Sequence, residues 1–249
     1  MKRIPNINLT HKEVEQIIEN NLYNFGGEAR ICRNNNPKTL YKIFVFPHTN
    51  YAVAMSDNKF EKIKKLYNNP IDNIPLPLST ISRDGELIGY EMTFDKKDKA
   101  LLDTLLTTEE KIEYLKKSIN ILKYFHSKNI IYGDVKCDNV LINTKSRHIK
   151  FCDIDNMQID NLPIDMMGYG LTEYKKYNGK IDIDADAFMH NLLTLEQLHF
   201  CQKSEKEILN TILANPSIPI FGNEINQIIK TMVNLNEFKG EYIAQYIKK

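Results

Sequence analysis

The stretch Ile130–Ile154, IIYGDVKCDNVLINTKSRHIKFCDI, constrains this chain most, because it alternates short apolar runs with polar groups. Val140–Ile142 and Ile149–Cys152 are apolar runs of the length and kind that form buried strands. Residues 143–147, NTKSR, separate them with a polar segment that is typical of a turn. The stretch therefore predicts a β-hairpin with polar residues on either side of it.

Four chemistry-bearing side chains flank this predicted hairpin: Asp134, Lys136, Asn139 and Asp153. The first three lie on the loop before the hairpin, and Asp153 lies where its second strand ends. Mg²⁺ prefers oxygen ligands and is commonly bound by one or two carboxylates together with phosphate oxygens. Two carboxylates, an amide and an amine brought together would therefore suit a magnesium-bound phosphate.

These residues resemble the catalytic core of the eukaryotic-like protein kinase superfamily. The family's catalytic loop reads H-R-D-x-K-x-x-N and its metal-binding loop reads D-F-G. Here the corresponding segments are Tyr132–Asn139, YGDVKCDN, and Asp153–Asp155, DID. The order, the spacing and the apolar hairpin between the two segments make the resemblance specific.

The resemblance implies an α+β, two-lobed protein-kinase-like fold, with a small β-rich N-lobe and a larger, mainly helical C-lobe. We expect one kinase-like domain over residues 1–249, with the N-lobe at 1–94 and the C-lobe at 95–249. A length of 249 residues is enough to bury the core of such a domain.

The resemblance also implies a role for each side chain. Asp134 would accept or orient the proton of the attacking hydroxyl, and Lys136 would offset charge on the γ-phosphate of ATP. Asn139 and Asp153 would hold Mg²⁺.

Lys42 interrupts the predicted strand Thr39–Pro47, TLYKIFVFP. Alone, such a lysine would be assigned to the solvated face of the strand. In the kinase comparison it corresponds to the lysine that holds the α/β-phosphates. The predicted helix Asp57–Tyr67 carries Glu61, and we expect Glu61 to form an ion pair with Lys42.

Two further segments correspond to nucleotide-binding parts of the family. Gly26 and Gly27 permit a tight turn with positive φ, and correspond to the phosphate-covering loop between the first two strands. The family pattern G-x-G-x-x-G is incomplete there, so a plain hairpin turn is the alternative.

The hinge is expected near residues 92–95, where a predicted strand ends. Met92 would back the adenine pocket, and the backbone of Thr93, Phe94 and Asp95 would hydrogen-bond the adenine edge. An ordinary strand end is the alternative.

Hydrophobic periodicity predicts helices over residues 11–21, 107–128 and 181–200. The second begins with Thr107-x-x-Glu110, a capping-box pattern. The third resembles the central C-lobe helix, whose first aspartate braces the catalytic loop. Asp186 fits that position by register, and Asp184 is the alternative.

Composition narrows the possible partners and the compartment. The formal net charge is +1, so no global field would recruit nucleic acid or a membrane surface. The four cysteines are widely spaced and form no C-x-x-C pair, which favours a reducing cytoplasm over disulfides or zinc. We see neither a signal peptide nor an apolar run of 18 residues, and expect no membrane span.

We therefore expect an ATP- and Mg²⁺-dependent Ser/Thr protein kinase, a compact bacterial or viral one, acting on a protein hydroxyl. Three positions depart from the family: Tyr132 and Gly133 replace His-Arg, and Asp155 replaces the glycine of D-F-G. Asp155 suggests a small-molecule kinase of the aminoglycoside/choline type as an alternative, whereas Lys136 argues against that type. A nucleotide-binding pseudokinase scaffold is the third alternative, favoured by the eroded glycine loop.

Overall fold

The structure, a computed structural model, describes residues 2–201, 203–216, 222–235 and 237–247. These residues fall into two compact units. The first comprises the residues up to Asp98 together with Asn143–Asp155, and the second comprises Lys99–Ile142 and the residues from Asn156 onward. The first unit therefore contains the predicted lobe 1–94, four further residues and the segment that ends at Asp155.

The helices and strands alternate irregularly along the chain. The helices are α1 (His11–Asn20), α2 (Asp57–Asn68), α3 (Thr108–His126), α4 (Tyr169–Asn178), α5 (Ile183–Leu198), α6 (Glu205–Ala214) and α7 (Gly222–Val233), with a 3-10 turn at Ile243–Gln245. The strands are β1 (Asn6–Leu9), β2 (Leu22–Phe25), β3 (Ala29–Arg33), β4 (Thr39–Phe44), β5 (Pro77–Arg83), β6 (Glu86–Thr93), β7 (Lys99–Ala100), β8 (Ile130–Ile131), β9 (Val140–Asn143), β10 (His148–Phe151) and β11 (Gln158–Ile159).

A six-stranded sheet in the order β1-β5-β6-β4-β3-β2 forms the first unit. Neighbouring strands are antiparallel except β1, which runs parallel to β5. Lys42 lies near the middle of the sheet, on β4, opposite Ile31 of β3 and Tyr90 of β6.

Helix α1 covers part of this sheet because its apolar side chains repeat at helical spacing. Thr10 caps the helix by accepting a hydrogen bond from the Glu13 amide, while the Glu13 carboxylate accepts one from the Thr10 amide. Its Val14 and Ile18 pack into a core whose other fully buried members are Cys32, Ile43, Val45, Ala52, Ile81 and Ile88.

The second unit is mainly helical and is built around α5. Every residue of α5 from Ala185 to Leu195 is buried, which is typical of a helix enclosed on all sides. His190 of α5 bonds to Ser118 of α3, and Phe188 packs against Tyr174 of α4. In this unit β7 pairs with β9 and β8 with β11, both antiparallel.

The predicted α+β class is confirmed. The predicted helices at 11–21, 57–67, 107–128 and 181–200 are present with ends shifted by at most two residues, and Thr107 caps α3 as the capping-box pattern indicated. In the part of the chain that the structure describes, no helix combines the length and apolar character that crossing a membrane requires.

Candidate active site

The loop between β8 and β9 brings three predicted catalytic residues together. Asp134 accepts hydrogen bonds on Oδ2 from Lys136 Nζ, at 2.8 Å, and from Asn139 Nδ2, at 2.7 Å. Asn139 also donates to the Asp134 carbonyl oxygen, at 3.1 Å. These bonds orient the Asp134 carboxylate from two sides, while its side chain stays 14% exposed.

Helix α5 braces this loop through one buried carboxylate. Asp186 accepts hydrogen bonds from the backbone amides of Tyr132, at 2.9 Å, and Gly133, at 2.6 Å. Its Oδ2 also lies 2.8 Å from His126 Nε2 at the end of α3. Of the two aspartates considered from the sequence, Asp186 is therefore the one that braces the loop.

Gly133 has a local reason to replace the arginine of the family pattern. Its φ is +79°, and a Cβ added there would lie 2.4 Å from Cδ1 of Ile164. A left-handed conformation and a crowded site both favour glycine. The backbone before Asp134 therefore turns in a way that an arginine would strain.

Glu205 is a neighbour of the loop that the sequence reasoning missed. Its Oε2 accepts a hydrogen bond from the Gly170 amide at 2.8 Å, in the first turn of α4. Burial raises the pKa of Glu205, and the charge of Asp134 adds to this effect. Glu205 is 71 residues from Asp134 along the chain, so no local pattern could have indicated this proximity.

Cys137 is a packed residue rather than a reactive thiol. It is buried, and its Sγ lies 3.3 Å from Glu196 Oε1. Burial, with the Glu196 carboxylate, raises the pKa of Cys137 to about 12. A thiol with that pKa is almost fully protonated at neutral pH and is a poor nucleophile.

In the first unit, Lys42 is buried in a cluster of acidic groups. Its Nζ bonds to Asp153 Oδ1 and to Asp155 Oδ1, both at 2.5 Å. Burial alone would lower the pKa of Lys42, but the charges of Asp153 and Asp155 outweigh it and raise the pKa well above its usual value. Lys42 is therefore a fixed positive charge beside the predicted metal ligand Asp153.

The expected ion pair between Lys42 and Glu61 is wrong in this structure. Glu61 instead bonds to Lys64 on its own helix, at 2.9 Å. The reason is the phase of α2, because the buried positions of this helix are occupied by Lys59, Lys62, Ile63 and Leu66. The sequence analysis expected Glu61 to face Lys42, but position 61 is not among the buried positions of α2.

Two lysines from α2 occupy the place expected for Glu61. Lys59 Nζ bonds to Asp155 Oδ2 at 3.2 Å and to Glu28 Oε2 at 3.1 Å. Lys62 Nζ donates to the Asp155 carbonyl oxygen at 3.2 Å. Neither lysine was a candidate from the sequence, although the i, i+3, i+4, i+7 spacing of 59, 62, 63 and 66 gives one helical face.

The turn at Gly26 and Gly27 does not have the expected positive φ. A Cβ on Gly27 would meet nothing within 4 Å, so the fold itself does not require glycine there. The turn is instead anchored by Arg30, whose Nη1 donates to the Gly26 carbonyl at 2.8 Å and whose Nε donates to Asn50 Oδ1 at 2.8 Å.

The predicted hinge residues follow the end of β6. Met92 lies opposite Leu40 in the sheet. The Thr93 amide donates to the Leu76 carbonyl at 2.9 Å, and the Phe94 amide donates to the Lys38 carbonyl at 2.7 Å. Both amides already donate hydrogen bonds within the protein. The predicted hydrogen bonds to adenine would therefore have to come from the carbonyls of Thr93 and Phe94 or from the backbone of Asp95.

The predicted magnesium ligands Asn139 and Asp153 offer oxygen atoms, which fits Mg²⁺. Asn139 donates through Nδ2 to Asp134, so Oδ1 is the atom suited to a cation. The Asp153 side chain is 34% exposed, and its backbone is left-handed with φ of 62°. Within the described residues, no group of three or more His, Cys, Asp or Glu side chains is placed to hold a metal ion.

Several known proteins with sequences similar to this chain are named as protein kinases. A protein of Acanthamoeba polyphaga mimivirus named as a serine/threonine-protein kinase is 26% identical over 160 residues, which cover 59% of this chain and 28% of that protein. Protein kinase C of Aspergillus fumigatus is 32% identical over 118 residues, covering 43% of this chain and 11% of the relative. A protein kinase C-like protein of Neurospora crassa is 34% identical over 116 residues, 40% of this chain and 10% of the relative.

The matched regions are therefore a small part of these longer relatives. No family model matches the chain. Among solved structures, the kinase PK-1 of Cydia pomonella granulovirus shares the fold with a TM-score of 0.60, at 17% identity, over 94% of this chain and 95% of that one. In sequence the chain is therefore similar to proteins named as protein kinases, and it shares its fold with a viral kinase.

Proposed function

We propose that this chain is an ATP- and Mg²⁺-dependent phosphotransferase that transfers the γ-phosphate to a Ser or Thr hydroxyl of a protein. The observation that carries the proposal is the loop in which Lys136 and Asn139 both bond to Asp134 Oδ2. Phosphoryl transfer depends mainly on positioning and charge stabilisation, and this loop supplies an oriented carboxylate, a cation and an amide.

In the proposed reaction each residue acts through one atom or charge. Asp134 orients the acceptor hydroxyl and receives its proton, while Lys136 offsets charge on the transferred phosphoryl group. Asn139 Oδ1 and Asp153 are the proposed ligands for Mg²⁺, which would neutralise charge on the phosphates when bound. Lys42 is the proposed cation for the α/β-phosphates.

A protein acceptor is favoured over a small alcohol by Lys136. The family's protein kinases carry a lysine at this position, and here it bonds directly to Asp134. The relatives named as serine/threonine-protein kinase and protein kinase C support the same choice. The small-molecule kinase remains the second candidate, because Asp155 stands where protein kinases have glycine.

The test is phosphoryl transfer from radiolabelled ATP with Mg²⁺ to generic protein substrates and, separately, to a panel of small alcohols. Asp134→Asn is expected to reduce transfer at least about a hundredfold, since general base and positioning contributions are typically 10²–10⁴. The matched control is Asp138→Asn on the same loop, where the carboxylate is exposed and activity should stay within about twofold.

Transfer to protein that disappears in Asp134→Asn supports the proposal. Transfer to small alcohols alone would assign the second candidate. Nucleotide binding with no transfer to either class would identify a pseudokinase and overturn the proposed reaction.

A further inference from the structure

Asp155 is fully buried and has four hydrogen-bond partners, three of them on its carboxylate. Its Oδ1 accepts hydrogen bonds from Lys42 Nζ at 2.5 Å and from the Tyr90 hydroxyl at 2.8 Å, and its Oδ2 accepts one from Lys59 Nζ at 3.2 Å. Lys62 Nζ bonds to its backbone carbonyl. The Asp155 side chain has no solvent exposure. A buried charge persists only when it is paired and hydrogen-bonded, and both oxygens of Asp155 meet that condition.

The surroundings keep this carboxylate ionised. Two ammonium groups and a phenol hydroxyl contact it directly, so its negative charge is paired within the protein. A buried ammonium group likewise requires a paired anion, and Asp155 is that anion for Lys42.

Helix α2 does not supply that partner. Its buried positions are Lys59, Lys62, Ile63 and Leu66, and Glu61 is held by Lys64. In the kinase family, the helix carries the acid that pairs with this lysine. Here the acid, Asp155, follows strand β10, and helix α2 carries lysines instead.

We propose that Asp155 is the positioning residue that holds Lys42 in place for the nucleotide phosphates, in the role that a helix glutamate would otherwise have. This inference rests on the proposed function. Asp153 also contacts Lys42, but it is the proposed Mg²⁺ ligand, so its carboxylate would be engaged by the metal. Both oxygens of Asp155 are directed at Lys42, Tyr90 and Lys59, which leaves Asp155 as the permanent anion beside Lys42.

The first experiment measures the dissociation constant of a fluorescent ATP analogue with Mg²⁺, and kcat and KM for ATP. Asp155→Asn keeps the size of the side chain and removes its charge. It is expected to weaken nucleotide binding about tenfold or more, to the level of Lys42→Ala. The double variant should be no weaker than either single one, because the two residues act as one unit. Glu61→Gln is the control and should stay within about twofold.

Asp155→Asn leaves two buried lysines short of an anion, so a second variant guards against loss of folding. Asp155→Gly combined with Lys59→Glu moves the acid to the helix, at a position whose side chain already reaches Asp155 Oδ2. This exchange is expected to restore nucleotide affinity to within about fivefold of the original chain. Tyr90→Phe removes only one hydroxyl and should weaken binding two- to fivefold.

The outcomes separate this inference from the proposed function. Unchanged affinity in Lys42→Ala overturns the nucleotide site itself, and the role of Asp155 with it. Weak binding in Lys42→Ala together with normal binding in folded Asp155→Asn overturns only the role of Asp155. If Asp155→Asn does not fold, the other two variants decide. The role of Asp155 is then overturned if the exchange variant folds but does not bind nucleotide, or if Tyr90→Phe binds nucleotide with normal affinity. Weak binding in Glu61→Gln equal to that of Asp155→Asn also overturns it.

Discussion

Gly133 precedes the proposed catalytic base, and its backbone conformation favours glycine at this position. Replacing it with alanine would force a side chain into φ of +79° and to within 2.4 Å of Ile164 Cδ1. The left-handed conformation costs about 1–2 kcal/mol, and overpacking costs a further 1–3 kcal/mol. We expect Gly133→Ala to lower the free energy of unfolding by about 2–5 kcal/mol, measured by urea denaturation.

The control for Gly133→Ala is Gly27→Ala, at a glycine with neither positive φ nor a neighbour within 4 Å of an added Cβ. Its effect on stability should stay within about 0.5 kcal/mol, as for most surface substitutions. Equal stability of the two variants would contradict the strain that we assign to Gly133.

Individual site residues could be predicted from the sequence where they lie close together in the chain. Asp134, Lys136 and Asn139 lie within six residues on one loop, and their mutual bonds follow from that spacing. The Glu61 prediction failed because a shift of one residue in helical phase turns a side chain by about 100°, which is enough to move it off the buried face. Two lysines occupy that face of α2 instead, and lysine is a residue type that is mostly exposed.

At the scale of elements, helix α5 acts on the catalytic loop through Asp186. Removing this carboxylate would leave the buried amides of Tyr132 and Gly133 without their acceptor, and each unsatisfied group costs about 1–3 kcal/mol. We expect Asp186→Ala to lower the free energy of unfolding by about 2–6 kcal/mol and to abolish most phosphoryl transfer. Urea denaturation and the ATP assay measure the two effects.

Asp184 provides the matched control, two residues earlier on the same helix. We expect Asp184→Ala to change stability by less than about 1 kcal/mol, since its carboxylate is only partly buried. A larger effect of Asp184→Ala than of Asp186→Ala would show that the loop is braced differently.

The contact between α3 and α5 is predicted to depend on pH through His190. Its Nε2 lies 2.8 Å from Ser118 Oγ and 3.0 Å from the Leu115 carbonyl, and burial lowers the pKa of His190 to about 4. The unfolded chain binds a proton near pH 6.5, so stability is lost as pH falls from about 6.5 towards 4. From pH 7 to pH 5 this one group should remove about 2 kcal/mol of unfolding free energy.

Urea denaturation at several pH values between 7 and 5 measures this dependence. His190→Gln should flatten it, whatever its effect on stability at pH 7. His148→Gln is the control, because that histidine is exposed, and the original slope should remain. A slope that survives in His190→Gln would assign the pH dependence to other groups.

Helices could be predicted from the sequence where the spacing of apolar residues and the capping residues indicated the same boundaries. The box of Thr107 and Glu110 located the start of α3, and the apolar spacing located α1, α2 and α5 to within two residues at either end. Strand β1 was missed because it has only four residues and is held by parallel pairing with β5, about 70 residues later in the chain. Such pairing leaves no short-range signal in the sequence.

For the whole molecule, the resemblance carried by one loop and one hairpin predicted the α+β kinase-like fold that the structure shares with a viral kinase. The charge network behind Lys42 could not be read in the same way. It joins residues from β4, β6, α2 and the exit of β10, and only the tertiary fold brings Asp155 to Lys59 and Tyr90.

The proposed function predicts that ATP with Mg²⁺ stabilises the whole chain against heat. A ligand that binds only the folded state at a hundred times its dissociation constant adds about 2.7 kcal/mol. For a chain of this length, that amount raises Tm by roughly 5–10 °C. Differential scanning fluorimetry with ATP, with and without Mg²⁺, measures the shift.

Variants separate the contribution of Mg²⁺ to this rise in Tm from the contribution of the phosphates. Lys42→Ala should lose most of it, and Asp153→Ala should lose only the part that Mg²⁺ adds, because Asp153 is proposed as a metal ligand. Adding EDTA to the original chain should reproduce the Asp153→Ala result, whereas Glu61→Gln should shift as the original chain does. A Mg²⁺-dependent shift that persists in Asp153→Ala would remove Asp153 from the metal site while leaving the nucleotide site intact.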